Sequence, residues 1–134
     1  MVKNRSLVEE GTDINLQFEK RDGLLPVAVQ DSSTGEILMI ASVNREAFDH
    51  TLETGEPAFW STSRNELWIK GLTSGNTIRL DDVLVDCDQD ALVYRVTLEG
   101  EGVCHTKNKN GVHRTSCFYR KLNREGNQLE FKDE

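Results

Sequence analysis

Short apolar runs separated by turn-forming residues recur along the chain and predict a mainly β fold. Such segments lie at 26–30, 37–43, 58–63, 67–70, 77–86, 91–99 and 118–122. The turn cluster at 31–35 predicts a hairpin between the first two strands, and Arg64-Asn65 predicts a tight turn between the next two. A further hairpin is expected to join 77–86 to 91–99. The pattern therefore predicts an α+β class, mainly β, as a compact antiparallel sheet or barrel-like domain.

One segment carries the signals of a helix. Asn44 is a suitable N-cap, Glu46 places an acid in the first turn, and Gly55 is placed to end the helix. Between them, apolar residues recur at near-helical spacing, at Ala47, Phe48 and Leu52. We predict one clear helix at about 45–54.

The chain divides into three parts by its patterning. Residues 1–21 are a polar lead-in in which only Ile14, Leu16 and Phe18 alternate with polar residues. Residues 22–122 carry the regular pattern and are predicted to form the domain. Residues 123–134 are polar, and we expect a loose C-terminal tail.

Composition and charge narrow the functional classes. The chain has 134 residues, enough for one domain with its own core. No apolar run approaches the roughly 20 residues that span a bilayer, and no apolar segment typical of a secretory signal follows the N-terminus, so a cytoplasmic location is expected. The net charge of −7 disfavours nucleic acid and anionic membranes as partners. A small anionic substrate remains compatible, because the stretch 107–121 is basic.

Three cysteines, Cys87, Cys104 and Cys117, are the first candidates for chemistry. An odd number in a chain without a secretory signal argues against a closed disulfide set. Free cysteines often serve as small buried apolar residues, but Cys104 and Cys117 lie among polar residues. Three thiolates with an open fourth position would suit a catalytic zinc ion, whereas a fourth ligand from His105 or His113 would make the zinc structural. The residues alone leave these alternatives open.

Three aspartates alternate around the first cysteine, at Asp86, Asp88 and Asp90. Carboxylates suit a hard cation such as magnesium, whereas thiolates suit zinc, so two different metals could lie side by side. Period-2 spacing would put the three carboxylates on one face of an extended strand, with looser geometry at a hairpin tip. The alternative is a solvated acidic turn. A complete EF-hand calcium loop is excluded, because no Gly and Glu follow at the required offsets.

Other polar residues are candidates for substrate binding and proton transfer. His105 directly follows a possible zinc ligand and could be a fourth ligand, a general acid/base or a bystander. The loop Thr73-Ser74-Gly75-Asn76 offers hydroxyl and backbone N–H groups to a phosphate, although most such loops are only turns. Arg64 and Lys70 flank this loop and add positive charge.

Several of these runs, in this order, resemble the phosphoribosyl-AMP cyclohydrolase family. The resemblance covers roughly residues 22–121 and includes the segments 23–31, 34–39, 59–64 and 67–71. Its most specific parts are TSGN at 73–76, DCDQD within 85–92, CHT at 104–106 and SCFYR at 116–120. Six or more motifs in the family's order make the match highly specific.

The resemblance implies zinc-dependent hydrolysis of the N1–C6 bond of the adenine ring of N1-(5-phosphoribosyl)-AMP, a step of L-histidine biosynthesis. It implies an intertwined homodimer with one zinc per subunit at the interface, held by Cys87 of one subunit and Cys104 and Cys117 of the other. Magnesium would be held by the three aspartates Asp86, Asp88 and Asp90, and His105 would accept or relay a proton. The substrate-binding candidates are Arg64, Lys70, Thr73, Ser74 and Gly75. We expect a stand-alone form, without the pyrophosphohydrolase domain fused to some relatives.

One departure from the family pattern lies between the second and third cysteines. The family usually has a short link there, similar to C-H-T-G-x-x-S-C, whereas here the stretch 107–113 lengthens it. A polar loop can bulge outward at small entropic cost, so both thiolates could still converge. Two other hypotheses follow: a diverged hydrolase acting on another purine-like substrate, or a non-catalytic protein that binds zinc.

Overall fold

A computed structural model describes residues 5–132, with side chains from Leu7 onward. The first four residues of the predicted lead-in and the last two of the predicted tail lie outside the described residues. The strands are β1 (Leu25–Asp31), β2 (Ile37–Val43), β3 (Ala58–Ser61), β4 (Glu66–Ile69), β5 (Ile78–Val85), β6 (Leu92–Leu98), β7 (Arg120–Leu122) and β8 (Leu129–Phe131). The α-helices are α1 (Arg5–Glu10) and α2 (Arg45–Thr54), and a 3-10 helix spans Phe18–Arg21.

A four-stranded sheet forms the centre of the fold, in the order β2-β1-β6-β5. Both predicted hairpins are present, because β1 pairs antiparallel with β2 and β5 pairs antiparallel with β6. The central pair, β1 and β6, is parallel. The expectation of a purely antiparallel sheet is therefore wrong: the chain crosses over through α2 and the β3–β4 hairpin before β6 returns beside β1, and parallel neighbours need such a crossover.

The sheets do not close into a barrel, which corrects the barrel-like expectation. Strands β2 and β5 are the two edges of the central sheet, and β3–β4 and β7–β8 each form a separate two-stranded sheet. Without further strands to bridge its edges, the central sheet stays open. The mainly β character of the prediction is confirmed.

Alternating residues of β1 and β6 build the core, because successive side chains of a strand point to opposite faces. Fully or almost fully buried members of this core are Leu25, Val27, Val29, Leu38, Val43, Phe59, Tyr94 and Val96. Two residues of the predicted lead-in, Leu16 and Phe18, belong to the same cluster. The lead-in thus contributes side chains to the core of the domain.

Helix α2 confirms the predicted helix and both of its caps. The side chain of Asn44 accepts a hydrogen bond of 2.9 Å from the backbone N–H of Ala47, and Gly55 ends the helix with a φ of 75°. Ala47 and Phe48 are buried, but Leu52 is 49% exposed, and the buried position on its turn is taken by Thr51. Helix α1 and the 3-10 helix in the lead-in are additional to the one predicted helix.

The expectation of a loose tail is wrong for the described residues. Strands β7 and β8 form a hairpin in which Lys121 pairs with Glu130. The ring of Phe131 stacks on that of Tyr119, with centroids 6.1 Å apart. The alternation of Leu129, Glu130 and Phe131 after a turn is the signal of this hairpin in the sequence.

None of the helices within residues 5–132 has the length and apolar character needed to span a membrane.

Candidate active site

A short antiparallel ladder brings Cys104 close to Cys117. The backbone N–H of Val103 donates to the carbonyl oxygen of Thr115, and that of Cys104 donates to the carbonyl oxygen of Arg114, both at 3.1 Å. The backbone N–H of Cys117 in turn donates to the carbonyl oxygen of Leu38 in β2, at 2.8 Å. The ladder and this bond to the central sheet fix the two cysteine backbones relative to each other.

The lengthened link forms the closed end of this ladder. Lys107 and His113 form an isolated antiparallel bridge, and beyond it the N–H of Asn108 donates to the carbonyl oxygen of Val112 at 2.9 Å. The side chain of Asn108 accepts bonds from the backbone N–H groups of Asn110 and Val112, at 2.9 and 3.1 Å. The extra residues therefore lengthen the ladder at the end away from the cysteines, and the thiols stay together.

The two thiols differ in exposure and in acidity. Cys104 is 4% exposed, and its sulfur lies 2.9 Å from the hydroxyl oxygen of Thr106, whereas Cys117 is exposed. Burial disfavours the Cys104 thiolate, but hydrogen bonds from Thr106, together with Cys117 and Arg114, outweigh it, so the pKa of this thiol is lowered. Burial, and then the charge of Cys104, raises the pKa of the Cys117 thiol to about 11. Cys104 is thus the first of the pair to become a thiolate.

The third cysteine lies elsewhere on the molecule. Cys87 is exposed at the tip of the β5–β6 hairpin. Among the described side chains, the only three candidate metal ligands that lie together are the carboxylates of Asp86, Asp88 and Asp90. One chain therefore brings two of its cysteines together and leaves the third apart.

Lys70, directly after β4, connects the β3–β4 hairpin to the cysteine ladder. Its ammonium group donates a hydrogen bond to the carbonyl oxygen of Val103, the residue before Cys104. The side chain is half-buried, and burial lowers the pKa of Lys70, against the opposing influence of the Cys117 and Cys104 thiolates. A cation is thus held at the backbone of the residue before Cys104.

A cavity of about 460 Å³ opens beside Cys104. It is lined by nearly all of the residues predicted from the sequence to act on a substrate, namely Arg64, Lys70, Thr73, Ser74 and His105. Gly75 does not line it, but closes the loop by donating from its N–H to the carbonyl oxygen of Gly71 at 2.8 Å. Trp68 and His113 also line the cavity. His113 was considered from the sequence only as a possible fourth zinc ligand, and Trp68 was not among the predicted site residues.

The aspartates converge in a tight turn rather than along a strand. Ligand oxygens of Asp86, Asp88 and Asp90 lie within 4.8 Å of one another. Gln89 adopts a φ of 57°, and the side chain of Asp86 accepts from the backbone N–H groups of Asp90 and Ala91, at 2.8 and 3.1 Å. Burial raises the pKa of the Asp86 carboxyl. The turn itself therefore gathers the carboxylates.

Two cations from the 3-10 helix pair with Asp88 and Asp90, and neither was predicted from the sequence. Lys20 Nζ lies 2.8 Å from Asp90 and 3.2 Å from Asp88, and an Arg21 nitrogen lies 3.0 Å from Asp90. Lys20 is the main cause that lowers the pKa of the Asp90 carboxyl, with Arg21 adding to it. No local pattern marks these partners, which lie about 70 residues earlier in the chain.

The buried Gln89 explains how the lead-in reaches the aspartates. Its side-chain N–H donates to the carbonyl oxygen of Val8 at 3.0 Å, and its side-chain oxygen accepts from the N–H of Asn15 at 2.7 Å. The N–H of Gln17 donates to the Gln89 carbonyl oxygen at 2.8 Å. These bonds hold residues 8–17 against the hairpin tip and place the 3-10 helix beside it.

The aspartate cluster is a more complete donor set for magnesium than the cysteine pair is for zinc. Three clustered carboxylates match the oxygen ligands of a hard divalent cation. The Cys104–Cys117 pair matches the soft ligands of zinc, but a zinc site normally takes three or four protein ligands, and one chain brings two thiols together. A complete zinc site of this kind needs a further ligand from outside the chain or from His105.

Comparisons with known proteins match the chain to one enzyme family. A sequence profile of phosphoribosyl-AMP cyclohydrolase matches residues 39–119. A protein of that name from Desulfotalea psychrophila is 47% identical over 110 residues, which cover 81% of this chain and 82% of that protein. Another from Methanothermobacter thermautotrophicus is 43% identical over 133 residues, covering 96% and 90%. A third, from Chlorobium phaeovibrioides, is 48% identical over 111 residues, covering 83% and 75%.

The matched range of 39–119 spans the positions of both cysteines of the ladder, the three aspartates and the cavity loop. The chain therefore belongs to the phosphoribosyl-AMP cyclohydrolase family of enzymes.

Proposed function

We propose that this protein hydrolyses the N1–C6 bond in the adenine ring of N1-(5-phosphoribosyl)-AMP, a step of L-histidine biosynthesis. Family membership and the names of its relatives support the activity. The observation that carries the proposal is the cavity in which Cys104 and His105 lie together with Lys70, Thr73 and Ser74. Such a cavity combines a metal ligand, a proton acceptor and phosphate-binding groups, as hydrolysis of a phosphorylated nucleotide requires.

The polar residues of the cavity would bind the substrate through its phosphates. Arg64 and Lys70 supply positive charge, and Thr73 and Ser74 supply hydroxyl donors to phosphate oxygens. The half-buried ammonium of Lys70 would attract a phosphate more strongly than an exposed one, because less water screens it. This binding would leave the purine ring beside Cys104 and His105.

His105 would move the proton of the reaction. The substrate ring is cationic because its N1 is alkylated, so C6 is open to attack by water. Attack gives a tetrahedral carbon, and its collapse breaks the N1–C6 bond and returns the electron pair to N1. The exposed imidazole of His105 would accept the proton of the attacking water and deliver it to the leaving nitrogen.

Zinc would be held by Cys104 and Cys117 of one subunit together with the partner subunit's Cys87. This ligand set is supported by the proximity of the first two thiols, by the separation of Cys87 from them within one chain, and by the exposure of Cys87 and Cys117. When bound, zinc lowers the pKa of a coordinated water to about 7 and so supplies a nucleophile. The proposal therefore includes a homodimer.

Magnesium would be held by the carboxylates of Asp86, Asp88 and Asp90. Its donor set is already gathered by the turn, but Lys20 and Arg21 now neutralise two of the carboxylates. To reach Oδ2 of Asp90, magnesium would have to displace both the Lys20 ammonium and the Arg21 guanidinium, which contact that oxygen. A magnesium ion there would neutralise a substrate phosphate when bound.

A steady-state assay on N1-(5-phosphoribosyl)-AMP tests the proposal, with ring opening followed by ultraviolet absorbance in the presence and absence of a zinc chelator. Zinc-dependent turnover would support both the reaction and the metal. No turnover by folded, zinc-loaded protein would overturn the activity and favour a diverged hydrolase. No turnover together with unfolding on zinc removal would favour a non-catalytic zinc-binding protein.

Two variants separate a zinc ligand from a proton acceptor. Cys104→Ser should abolish turnover and lower the zinc content. His105→Ala should reduce turnover by roughly 10²–10⁴-fold, the usual contribution of general acid–base catalysis, and leave zinc bound. Equal zinc loss in both variants would make His105 a ligand instead.

A further inference from the structure

Two side chains from different parts of the chain hold the carbonyl groups on either side of the Cys104 α-carbon. Lys70 Nζ donates to the carbonyl oxygen of Val103, and His113 Nδ1 lies 2.9 Å from the carbonyl oxygen of Cys104. Because a carbonyl oxygen only accepts hydrogen bonds, Nδ1 of His113 is the donor. The peptide groups before and after Cys104 are thus each fixed by one side chain.

His113 is itself held in place by the residues that lengthen the link. Its backbone N–H donates to the side chain of Glu101 at 2.9 Å, and it forms an isolated antiparallel bridge with Lys107. The turn that follows the bridge is closed by the backbone and side-chain bonds of Asn108. The half-buried imidazole therefore has a defined position, which the added residues provide.

His113 also lies between two cavities. It lines the cavity of about 460 Å³ beside Cys104 and a second one of about 260 Å³ that includes Glu101 and Arg114. The bond from Nδ1 to the Cys104 carbonyl sets the orientation of the ring between them. Two roles are compatible with this position: His113 could hold Cys104 through Nδ1, or contact the substrate through Nε2.

We propose that His113 is a positioning residue of the active site, which holds the backbone of Cys104 so that its thiolate is directed at the zinc ion. This inference rests on the proposed zinc site. It assigns the lengthened link a structural purpose, as a support for a metal ligand, and not a change of substrate. Hydrogen-bonded supports of metal ligands typically account for 10–100-fold in metal affinity.

The test compares His113→Ala, His113→Asn and His113→Gln with the wild-type protein. Asn carries its amide nitrogen where the histidine carries Nδ1, whereas Gln carries its amide nitrogen near the position of Nε2. Lys109→Ala, an exposed position of the same turn, is the matched control. Zinc affinity is measured by competition with a chromogenic chelator, and hydrogen exchange across 103–107 is measured on the zinc-free proteins.

We expect His113→Ala to bind zinc about 10–100-fold more weakly and to exchange the Cys104 amide hydrogen faster. His113→Asn should restore both quantities, His113→Gln should not, and Lys109→Ala should match the wild type. The exchange measurement needs no metal, so it reports on the position of Cys104 even if the zinc proposal fails. A wild-type protein that binds no zinc would rule out the proposed zinc site, and the exchange measurement would still test the role of His113.

Two results would overturn the inference. Wild-type zinc affinity and wild-type exchange in His113→Ala would show that Cys104 needs no such support. Recovery by His113→Gln but not by His113→Asn would show that Nε2 is the working atom, and hence that the imidazole contacts the substrate or another group. Should His113→Ala not fold, the contrast between the Asn and Gln variants decides between the two roles.

Discussion

Lys70 Nζ donates a hydrogen bond to the carbonyl oxygen of Val103, 33 residues further along the chain. This bond links the end of β4 to the ladder that carries Cys104 and Cys117. Val103 is 1% exposed, so its carbonyl has little access to water as an alternative partner. A residue that the sequence indicated only as a substrate-binding candidate thus also supports the backbone next to Cys104.

Lys70→Met removes this donor and keeps most of the apolar side chain. We expect the free energy of unfolding to fall by about 1–2 kcal/mol, because a buried carbonyl without a partner costs about 1–3 kcal/mol. Part of that cost is offset, since the half-buried ammonium is no longer desolvated. Urea denaturation measures the change, with Lys121→Met, an exposed position of β7, as the control. Unchanged stability would mean that water replaces Lys70 at the Val103 carbonyl.

Gly102 allows the two sides of the ladder to approach. A Cβ atom at this position would overlap the carbonyl oxygen of Arg114 and the α-carbon of Thr115. We expect Gly102→Ala to destabilise the protein by about 1–3 kcal/mol or more, the usual cost of overpacking. It should also accelerate hydrogen exchange at Cys104, because the strands of the ladder must separate.

The matched comparison is Gly111→Ala in the turn of the same ladder. Gly111 has a φ of +77° but open space where a Cβ would lie. Its replacement should therefore cost about 1–2 kcal/mol through backbone strain alone and leave exchange at Cys104 unchanged. Equal exchange at Cys104 in the two variants would contradict a close-approach role for Gly102.

Phe18 tests whether the lead-in is part of the folded core. Its ring packs edge-on against Phe48 of α2 with centroids 6.4 Å apart, and it is 6% exposed. We expect Phe18→Ala to cost about 3–5 kcal/mol in the free energy of unfolding, as for other buried phenylalanines. Ile14→Ala, at a position 76% exposed, should stay within about 0.5 kcal/mol of the wild type. Similar small effects at both positions would mean that the lead-in folds independently of the domain.

The parts of the fold that local chemistry decides could be predicted from the sequence. The caps of α2 follow from Asn44 and Gly55, which satisfy backbone groups within their own turn. The β5–β6 hairpin and its acidic tip likewise follow from neighbouring residues. The parallel pairing of β1 with β6 could not be predicted in this way, because it depends on where the chain returns after a long crossover.

In the candidate site, too, features set by neighbouring residues could be predicted and features set by distant residues could not. The loop at 73–76 and the cysteines could be identified from residue type and spacing. The partners of Asp90 could not, since Lys20 and Arg21 lie beside it in a lead-in that hydrogen bonds from Gln89, about 70 residues away, hold in place. The closed turn at 108–112 also escaped prediction: a polar Lys/Asn/Gly stretch resembles an open loop unless the side chain of Asn108 is known to bond to its backbone.

Lys20→Met should change how stability depends on pH. The folded-state pKa of the Asp90 carboxyl lies below its ordinary 3.8, mainly because of Lys20. Such a carboxyl stabilises the fold above about pH 4, and the contribution is lost as the pH falls through the lowered pKa. The pKa of Lys20 is raised above 10.5 by Asp90 and Asp88, so its contribution is present below pH 10.5 and is lost as the pH rises through the raised pKa.

The difference in unfolding free energy between wild type and Lys20→Met should therefore be largest from about pH 5 to pH 10. It should become smaller below and above this range. Denaturant titrations across this range measure it, with Lys109→Met, an exposed lysine of the 108–112 turn, as a control that shows no such narrowing. Burial raises the pKa of Asp86, so this carboxyl affects the pH dependence of stability in the opposite direction to Asp90. Because Asp86 is present in both proteins, its contribution largely cancels in the stability difference. A difference that stays constant with pH would show that Lys20 stabilises the fold by packing and not through the aspartates.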